Sequence, residues 1–266
     1  MTSRATSQEI NQQDIDVMVV GAAGKMGRLA CQALTDDIKV RTVISVLRSD
    51  CLQSMLVEHQ PHILLELTDI DSVFLNTRIA CEYGIPVVVG SSGLTADQLQ
   101  ALDALSRKKQ IQILVVPNFS IAAVMMVKAA RMSAEWLADC EIIEYHHAEK
   151  KDAPSATSLY TADAIYQAGQ KSEGKCVAST AGYIHKSCVP IHSVRTPGFV
   201  AKQDVIFSQS GERLTLSLSQ ITREAFMPGV KLAVHRIRRL HAGLQCGLEA
   251  VLDLSSSKLQ VSGVPS

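Results

Sequence analysis

The sequence predicts an α/β protein: a doubly wound parallel sheet interrupted by an inserted α+β segment. Three observations carry that reading. Short apolar, β-branched runs alternate with longer amphipathic segments from Ile15 to Val116. A glycine-rich turn, Gly21-Ala22-Ala23-Gly24-Lys25-Met26-Gly27, joins the first apolar run to the first amphipathic segment. Beyond Tyr145 the alternation stops, and strand-like runs around Val189–Val194, Asp204–Ser208 and Arg213–Ser219 follow one another without helices between them.

The strands expected in the first part are Ile15–Val20, Val40–Val46, His62–Leu67, Pro86–Val89 and Ile111–Val116. Helices are expected at Lys25–Thr35, Leu52–His59, Asp71–Tyr83 and Thr95–Lys108. Runs that are apolar throughout, separated by helices, belong to a parallel sheet covered on both faces. This is the Rossmann-like doubly wound plan, which binds ligands at the carboxyl ends of its strands. A long apolar helix from Ile121 to Ala138, a strand at Glu141–Tyr145 and a helix at Thr157–Ala168 open the inserted segment. Its later strands suit an antiparallel sheet with a helix on one face. A last helix, Arg223–Leu240, carries Phe226, Val230, Ala233 and Ile237 at helical spacing and is expected to return to the first domain. The expected organisation is therefore a polar leader at 1–14, a dinucleotide-binding domain at 15–120 and 224–266, and a substrate and oligomerisation domain at 121–223.

Composition narrows the function. Lys plus Arg equals Asp plus Glu at 26 each, so no net field draws in nucleic acid or an anionic membrane. Aromatic residues make up 4% of the chain, too few for a base-stacking surface. No run reaches the ~20 apolar residues of a membrane span. The seven cysteines are scattered and lack Cys-x-x-Cys spacing, which suits reduced thiols in a cytoplasmic protein and argues against a metal site.

The glycine turn has the context of a dinucleotide fingerprint. Gly21 permits the tight turn, Gly24 lets phosphate oxygens approach the backbone, and Gly27 lets the helix pack close to the strand. The helix start then offers N–H groups and partial positive charge to a pyrophosphate. An NAD site usually places an acid at the end of the second strand to hold the ribose hydroxyls. Here that place holds Leu47 and then Arg48, which with Lys25 favours the 2′-phosphate of NADPH over NADH.

The most chemically loaded stretch is Glu144-Tyr145-His146-His147-Ala148-Glu149-Lys150-Lys151-Asp152-Ala153-Pro154-Ser155-Ala156-Thr157. It reads as a strand running into a loop that feeds a helix start. The hydroxyls of Ser155 and Thr157, the first helical N–H groups and Lys150 make an anion receptor. Histidine titrates near neutrality and can donate a proton beside that anion. Adjacent strand residues face opposite ways, so His146 and His147 serve one site only if the strand ends between them.

This stretch is similar to the His-His-x-x-Lys-x-Asp-Ala-Pro-Ser-Gly-Thr signature of the 4-hydroxy-tetrahydrodipicolinate reductase family. The resemblance runs over nearly the whole chain after the leader. Gly21–Gly27 resembles the family's Gly-x-x-Gly-x-Met-Gly loop. Gly90-Ser91-Ser92-Gly93 resembles its Gly-Thr-Thr-Gly turn, and Asn118-Phe119-Ser120 its nicotinamide-side Asn-Phe-Ser segment. Ile191–Arg195 and Arg223–Phe226 match two further stretches. The resemblance implies reduction of a cyclic conjugated imine dicarboxylate, with hydride delivered to C4 and a proton from His146 to C3. Lys150, catalytic with His146, and His147 would hold substrate carboxylate, joined by the turn of Ser155, Ala156 and Thr157. Gly21, Gly24, Lys25, Met26, Gly27, Arg48, Gly90, Ser91, Ser92, Asn118 and Phe119 would hold the cofactor. A homotetramer built through the second domain is implied as well. The chain departs from the family at Ala156, where a glycine is usual, and at Glu66-Leu67-Thr68, where Asp-Phe-Thr is usual.

Overall fold

The computed structural model describes residues 15–137, 139–169, 182–184 and 188–252. The expected leader lies outside the described residues. The chain divides into two compact units, one running to Phe119 and resuming at Met227, the other covering Ser120–Phe226.

The first unit holds six strands: β1 (Ile15–Val20), β2 (Val40–Val46), β3 (Ile63–Glu66), β4 (Val87–Val89), β5 (Gln112–Val115) and, far along the chain, β11 (Gly243–Cys246). They lie in the order β11-β5-β4-β3-β1-β2, and every pairing is parallel. Helices α1 (Lys25–Thr35), α2 (Leu52–His59), α3 (Val73–Glu82) and α4 (Ala96–Lys109) connect the first five strands. Val17, Met18, Val19, Ile63, Leu64, Leu65, Val87 and Val88 are fully buried, as strands covered on both faces must be. The chain steps from β1 outward to β2 and then back across β1 to β3. That reversal is the switch point where such sheets bind ligands, and the glycine turn follows β1 there.

The returning segment is shorter and more broken than expected. Arg223–Phe226 is a 3-10 turn, α7 covers Met227–Arg236, and Ile237–Arg239 is again 3-10. Pro228 explains the start, because proline is tolerated only in the first turn of an α-helix. Val230, Ala233 and Ile237 are fully buried, while Phe226 is only half-buried. Helix α7 packs against α1 and hands the chain to β11. The sequence hid β11: its four residues, Gly243-Leu-Gln-Cys, show neither an apolar run nor alternation.

The second unit contains α5 (Ile121–Ala134), β6 (Asp139–His146), α6 (Ala156–Ala168), β7 (Tyr183–Ile184), β8 (Pro190–Arg195), β9 (Ala201–Gln209) and β10 (Glu212–Gln220). Its sheet runs β10-β9-β6-β8-β7. The expectation of an antiparallel sheet is corrected here. The β10–β9, β9–β6 and β7–β8 pairings are antiparallel, but β6 and β8 are parallel. The crossover through α6 allows that, since parallel neighbours need a long connection. Ala130 and Ala134 of α5 and Ala162 and Ile165 of α6 pack on Ile142, Ile191, Val205 and Phe207. A second correction concerns the cysteines: Cys188 is disulfide-bonded, whereas Cys31, Cys51, Cys81, Cys140 and Cys246 are free.

Candidate active site

The expected site residues fall into two groups, one in each unit. In the first unit, the glycine turn is wedged between the ends of β2 and β3. The backbone N–H of Gly21 donates to the Val46 carbonyl at 3.2 Å. Gly21 has φ +85°, and a Cβ there would lie 2.6 Å from the Leu67 carbonyl oxygen. At Gly27 a Cβ would lie 2.1 Å from the Gly21 carbonyl oxygen, so only glycine lets α1 begin this close. Gly24 differs, because a Cβ would meet nothing nearer than that oxygen at 3.2 Å. It is the N-cap of α1, it supplies no side-chain cap, and the first turn holds no acid. The cradle therefore fits a pyrophosphate: close-packed backbone at Gly21 and Gly27, an open approach at Gly24, and N–H groups that no side chain of the cap satisfies.

Lys25 is exposed and Met26 half-buried at the start of α1. Arg48 lies in the exposed turn after β2. The nearby acid, Asp50, closes that turn: its carboxylate accepts from the Leu47 N–H at 2.8 Å and the Ser49 hydroxyl at 3.3 Å. At the end of β4, a Cβ on Gly90 would lie 2.6 Å from the Phe119 ring and 2.7 Å from the Leu67 side chain. Phe119 is buried, and the Ser91 hydroxyl is buried without a partner among the described residues. Ser92 is exposed and Asn118 half-buried. The fully buried Glu66 ends β3, where one carboxylate oxygen takes the Thr68 N–H and the Asn76 amide, and Oε2 has no partner among the described residues.

In the second unit, β6 ends at His146 and His147 begins the loop, the condition under which both can serve one site. His146 is largely buried, with 15% of its side chain exposed, whereas His147 is exposed. Glu144, two residues back on the same strand face, is fully buried. Its Oε2 lies 2.7 Å from His146 Nδ1, a close charge contact that lacks hydrogen-bond alignment. Its Oε1 accepts from Arg195 Nη2 at 2.7 Å. Burial pushes the Glu144 carboxyl up, but hydrogen bonds from Ser193, Arg195 and Ser155 and the nearness of His146 together leave it below the ordinary range. For His146, burial dominates and lowers its pKa; Glu144 opposes, while Lys150 and Arg195 reinforce the lowering.

Lys150 Nζ donates to both oxygens of Asp152. Lys151 is exposed. The Ala153–Pro154 peptide is cis, and Ser155 then caps α6, its hydroxyl accepting from the Ser158 N–H at 3.2 Å. That hydroxyl is buried and also meets Ser158 Oγ at 2.9 Å, which in turn donates to Gln203 of β9. Ala156 is the first helical residue, exposed, and absent from the positive-φ positions, so its methyl group strains nothing in the backbone. Thr157 is half-buried in the same first turn.

Sequence reasoning did not single out Glu144, Arg195 or Asp152 as site residues. The signal for the first was present: Ile142, Glu144 and His146 share one face at period two, so a carboxylate there accompanies the histidine. Arg195 could not be placed without the pairing of His146 with Arg195 across β6 and β8.

A six-stranded parallel sheet with a glycine cradle at its switch point is the dinucleotide-binding plan, and the reductase class follows from the relatives. The particular family follows from comparison with known proteins. Residues 15–119 match the model for dihydrodipicolinate reductase, N-terminus, and residues 120–252 the model for its C-terminus. A 4-hydroxy-tetrahydrodipicolinate reductase of Geobacillus kaustophilus is 36% identical over 266 aligned residues, covering 90% of this chain and 99% of the relative. That of Legionella pneumophila (strain Corby) is 37% identical over 241 residues, covering 89% and 98%. The dipicolinate-bound dihydrodipicolinate reductase of Paenisporosarcina sp. TG-14 superposes with a TM-score of 0.78 at 30% identity, covering 90% and 99%. An amine dehydrogenase of Mycobacterium smegmatis, at 13% identity and TM-score 0.62, shares the fold alone. The chain belongs to the dihydrodipicolinate reductase family.

Proposed function

We propose that this chain reduces 4-hydroxy-tetrahydrodipicolinate, through its dehydrated form dihydrodipicolinate, to tetrahydrodipicolinate on the diaminopimelate route to lysine, with NADPH preferred over NADH. The carrying observation is that β6 brings a largely buried histidine to the point where a lysine-bearing loop feeds a capped helix start. The names of the relatives support the same reaction.

Gly21, Gly24, Lys25, Met26 and Gly27 receive the pyrophosphate, and Gly90, Ser91, Ser92, Asn118 and Phe119 line the nicotinamide end. When bound, the nicotinamide supplies a hydride to C4 of the substrate ring. Arg48 takes the 2′-phosphate, a role Asp50 does not contest because its carboxylate is spent on its own turn. Lys150, His147, Thr157 and the N–H of Ala156 hold a substrate carboxylate. Ser155 supports them from beneath, because its buried hydroxyl is committed to capping α6. His146 delivers the proton to C3. By family resemblance the enzyme works in the cytoplasm as a homotetramer, which light scattering after gel filtration checks.

The test is NADPH oxidation by the purified chain with substrate generated by dihydrodipicolinate synthase. Turnover by wild type and its loss in His146→Ala are expected. Measurable NADPH binding without turnover would overturn the assignment.

A further inference from the structure

The second unit contains a buried ion pair that the proposed reaction does not use directly. Glu144 is fully buried, and the side chain of Arg195 is 17% exposed. Burying two charges carries a large desolvation cost, and an apolar pair would commonly serve packing as well. The groups this pair touches explain its presence. Glu144 presents one oxygen to Arg195 and the other, at 2.7 Å, to Nδ1 of His146. The same Arg195 nitrogen donates to the Asp152 carbonyl at 2.6 Å, and Nη1 donates to the Val194 carbonyl at 2.9 Å. The Asp152 side chain in turn accepts from Lys150. One carboxylate thus reaches the proton donor and the arginine that fixes the lysine loop.

Resting on the proposed reaction, we infer that Glu144 is a positioning residue: it fixes His146 as the Nδ1–H tautomer, leaving Nε2 to carry the transferred proton, and through Arg195 it anchors the loop bearing Lys150. A histidine proton delivered from the wrong nitrogen cannot reach the substrate, and a neighbouring carboxylate selects the nitrogen by accepting from the other one. Neutral imidazole with its proton on Nδ1 presents that proton to the Glu144 side, where Oε2 lies 2.7 Å away. The doubly protonated ring, stabilised by the same carboxylate, is the form that gives up its Nε2 proton.

The experiment compares wild type with Glu144→Gln, Glu144→Asp and the double variant Glu144→Gln/Arg195→Gln, all as full chains. Melting curves and circular dichroism of the full chains report folding, and NADPH affinity reports the other unit. Glu144→Gln should lower kcat about tenfold or more with KM changed much less. It should also move the alkaline limb of the kcat/KM profile to lower pH, because only Asp152 then opposes the larger effects of Lys150 and Arg195 on His146. Glu144→Asp should restore the limb to its wild-type position. The double variant removes the unpaired arginine and should fold where the single one does not, yet keep the low kcat, with a smaller limb shift because, of the two cations, only Lys150 then lowers the His146 pKa. Nitrogen-15 NMR of the wild-type His146 ring, which needs no variant, should show the proton of the neutral form on Nδ1. A proton on Nε2, or a wild-type kcat and limb in Glu144→Gln, would overturn the inference while leaving wild-type turnover intact. Absence of wild-type turnover would instead overturn the reaction itself.

Discussion

Both carboxylate oxygens of Asp152 lie within hydrogen-bond reach of Lys150 Nζ, at 2.7 and 2.8 Å. The cation proposed to receive a substrate carboxylate therefore already carries one. The Asp152 side chain is 55% exposed, and exposed pairs of this kind are worth about 1 kcal/mol or less. A substrate that adds the α6 start and His147 to the same lysine displaces Asp152 easily. Replacing Asp152 with Asn removes the competitor, and the KM for substrate should fall by about two- to fivefold. A rise in KM would mean that Asp152 holds Lys150 in place rather than competing for it.

The two glycines of the cradle separate fold from binding. Gly27→Ala puts a methyl 2.1 Å from the Gly21 carbonyl oxygen, a backbone atom that cannot swing aside. Overpacking of this kind costs about 1–3 kcal/mol or more, and about 2–4 °C of melting temperature goes with each kcal/mol in a protein of this size. Gly24→Ala meets only a 3.2 Å contact, so its melting temperature should stay close to wild type while its NADPH affinity falls. Thermal denaturation and a fluorescence titration of the same two proteins decide the matter. Equal thermal losses in both would contradict the division.

Arg48 sets the preference between cofactors in the proposed site. A charge-assisted bond to phosphate contributes about 1.5–3 kcal/mol, which corresponds to a ten- to hundredfold change. Arg48→Asp should therefore reduce kcat/KM for NADPH by about that factor and leave NADH little affected or improved. An unchanged ratio of the two kcat/KM values would show that Arg48 does not touch the phosphate.

The first unit was legible in the sequence nearly to the residue. Apolar strands and amphipathic helices obey local rules, so β1, β2, α1 and α2 begin and end where the pattern says. What escaped depends on distant partners. The strand β11 exists because β5 offers it an edge, and its own four residues give no sign of it. The parallel pairing of β6 with β8 was equally invisible, yet it sets His146 beside Arg195 and makes the Glu144 arrangement possible. Ala156 shows the opposite case. It departs from the family signature, yet the helix starts there without positive φ and the methyl group is exposed.

The environment of His146 yields a signed prediction for pH. In the free protein, burial holds its pKa below the ordinary 6.5, and Lys150 and Arg195 add to that against the pull of Glu144. The acid must be protonated to act, so kcat/KM, which reports the free enzyme, should fall as pH rises through a value below 6.5. Bound substrate brings negative carboxylates beside the ring and favours the charged form. The limb in kcat, which reports the complex, should therefore lie at higher pH than the limb in kcat/KM. The stability effect has its own sign. With the folded pKa depressed, the unfolded chain binds the proton more readily, so this group subtracts stability as pH falls below about 6.5. His146→Ala should abolish both limbs, lower kcat by about 10²–10⁴, and flatten the acid-side loss of stability. Initial rates at saturating NADPH across about pH 5 to 9, paired with melting curves, provide the check. A kcat limb at lower pH than the kcat/KM limb would mean that the substrate carboxylates bind too far from His146 to charge it.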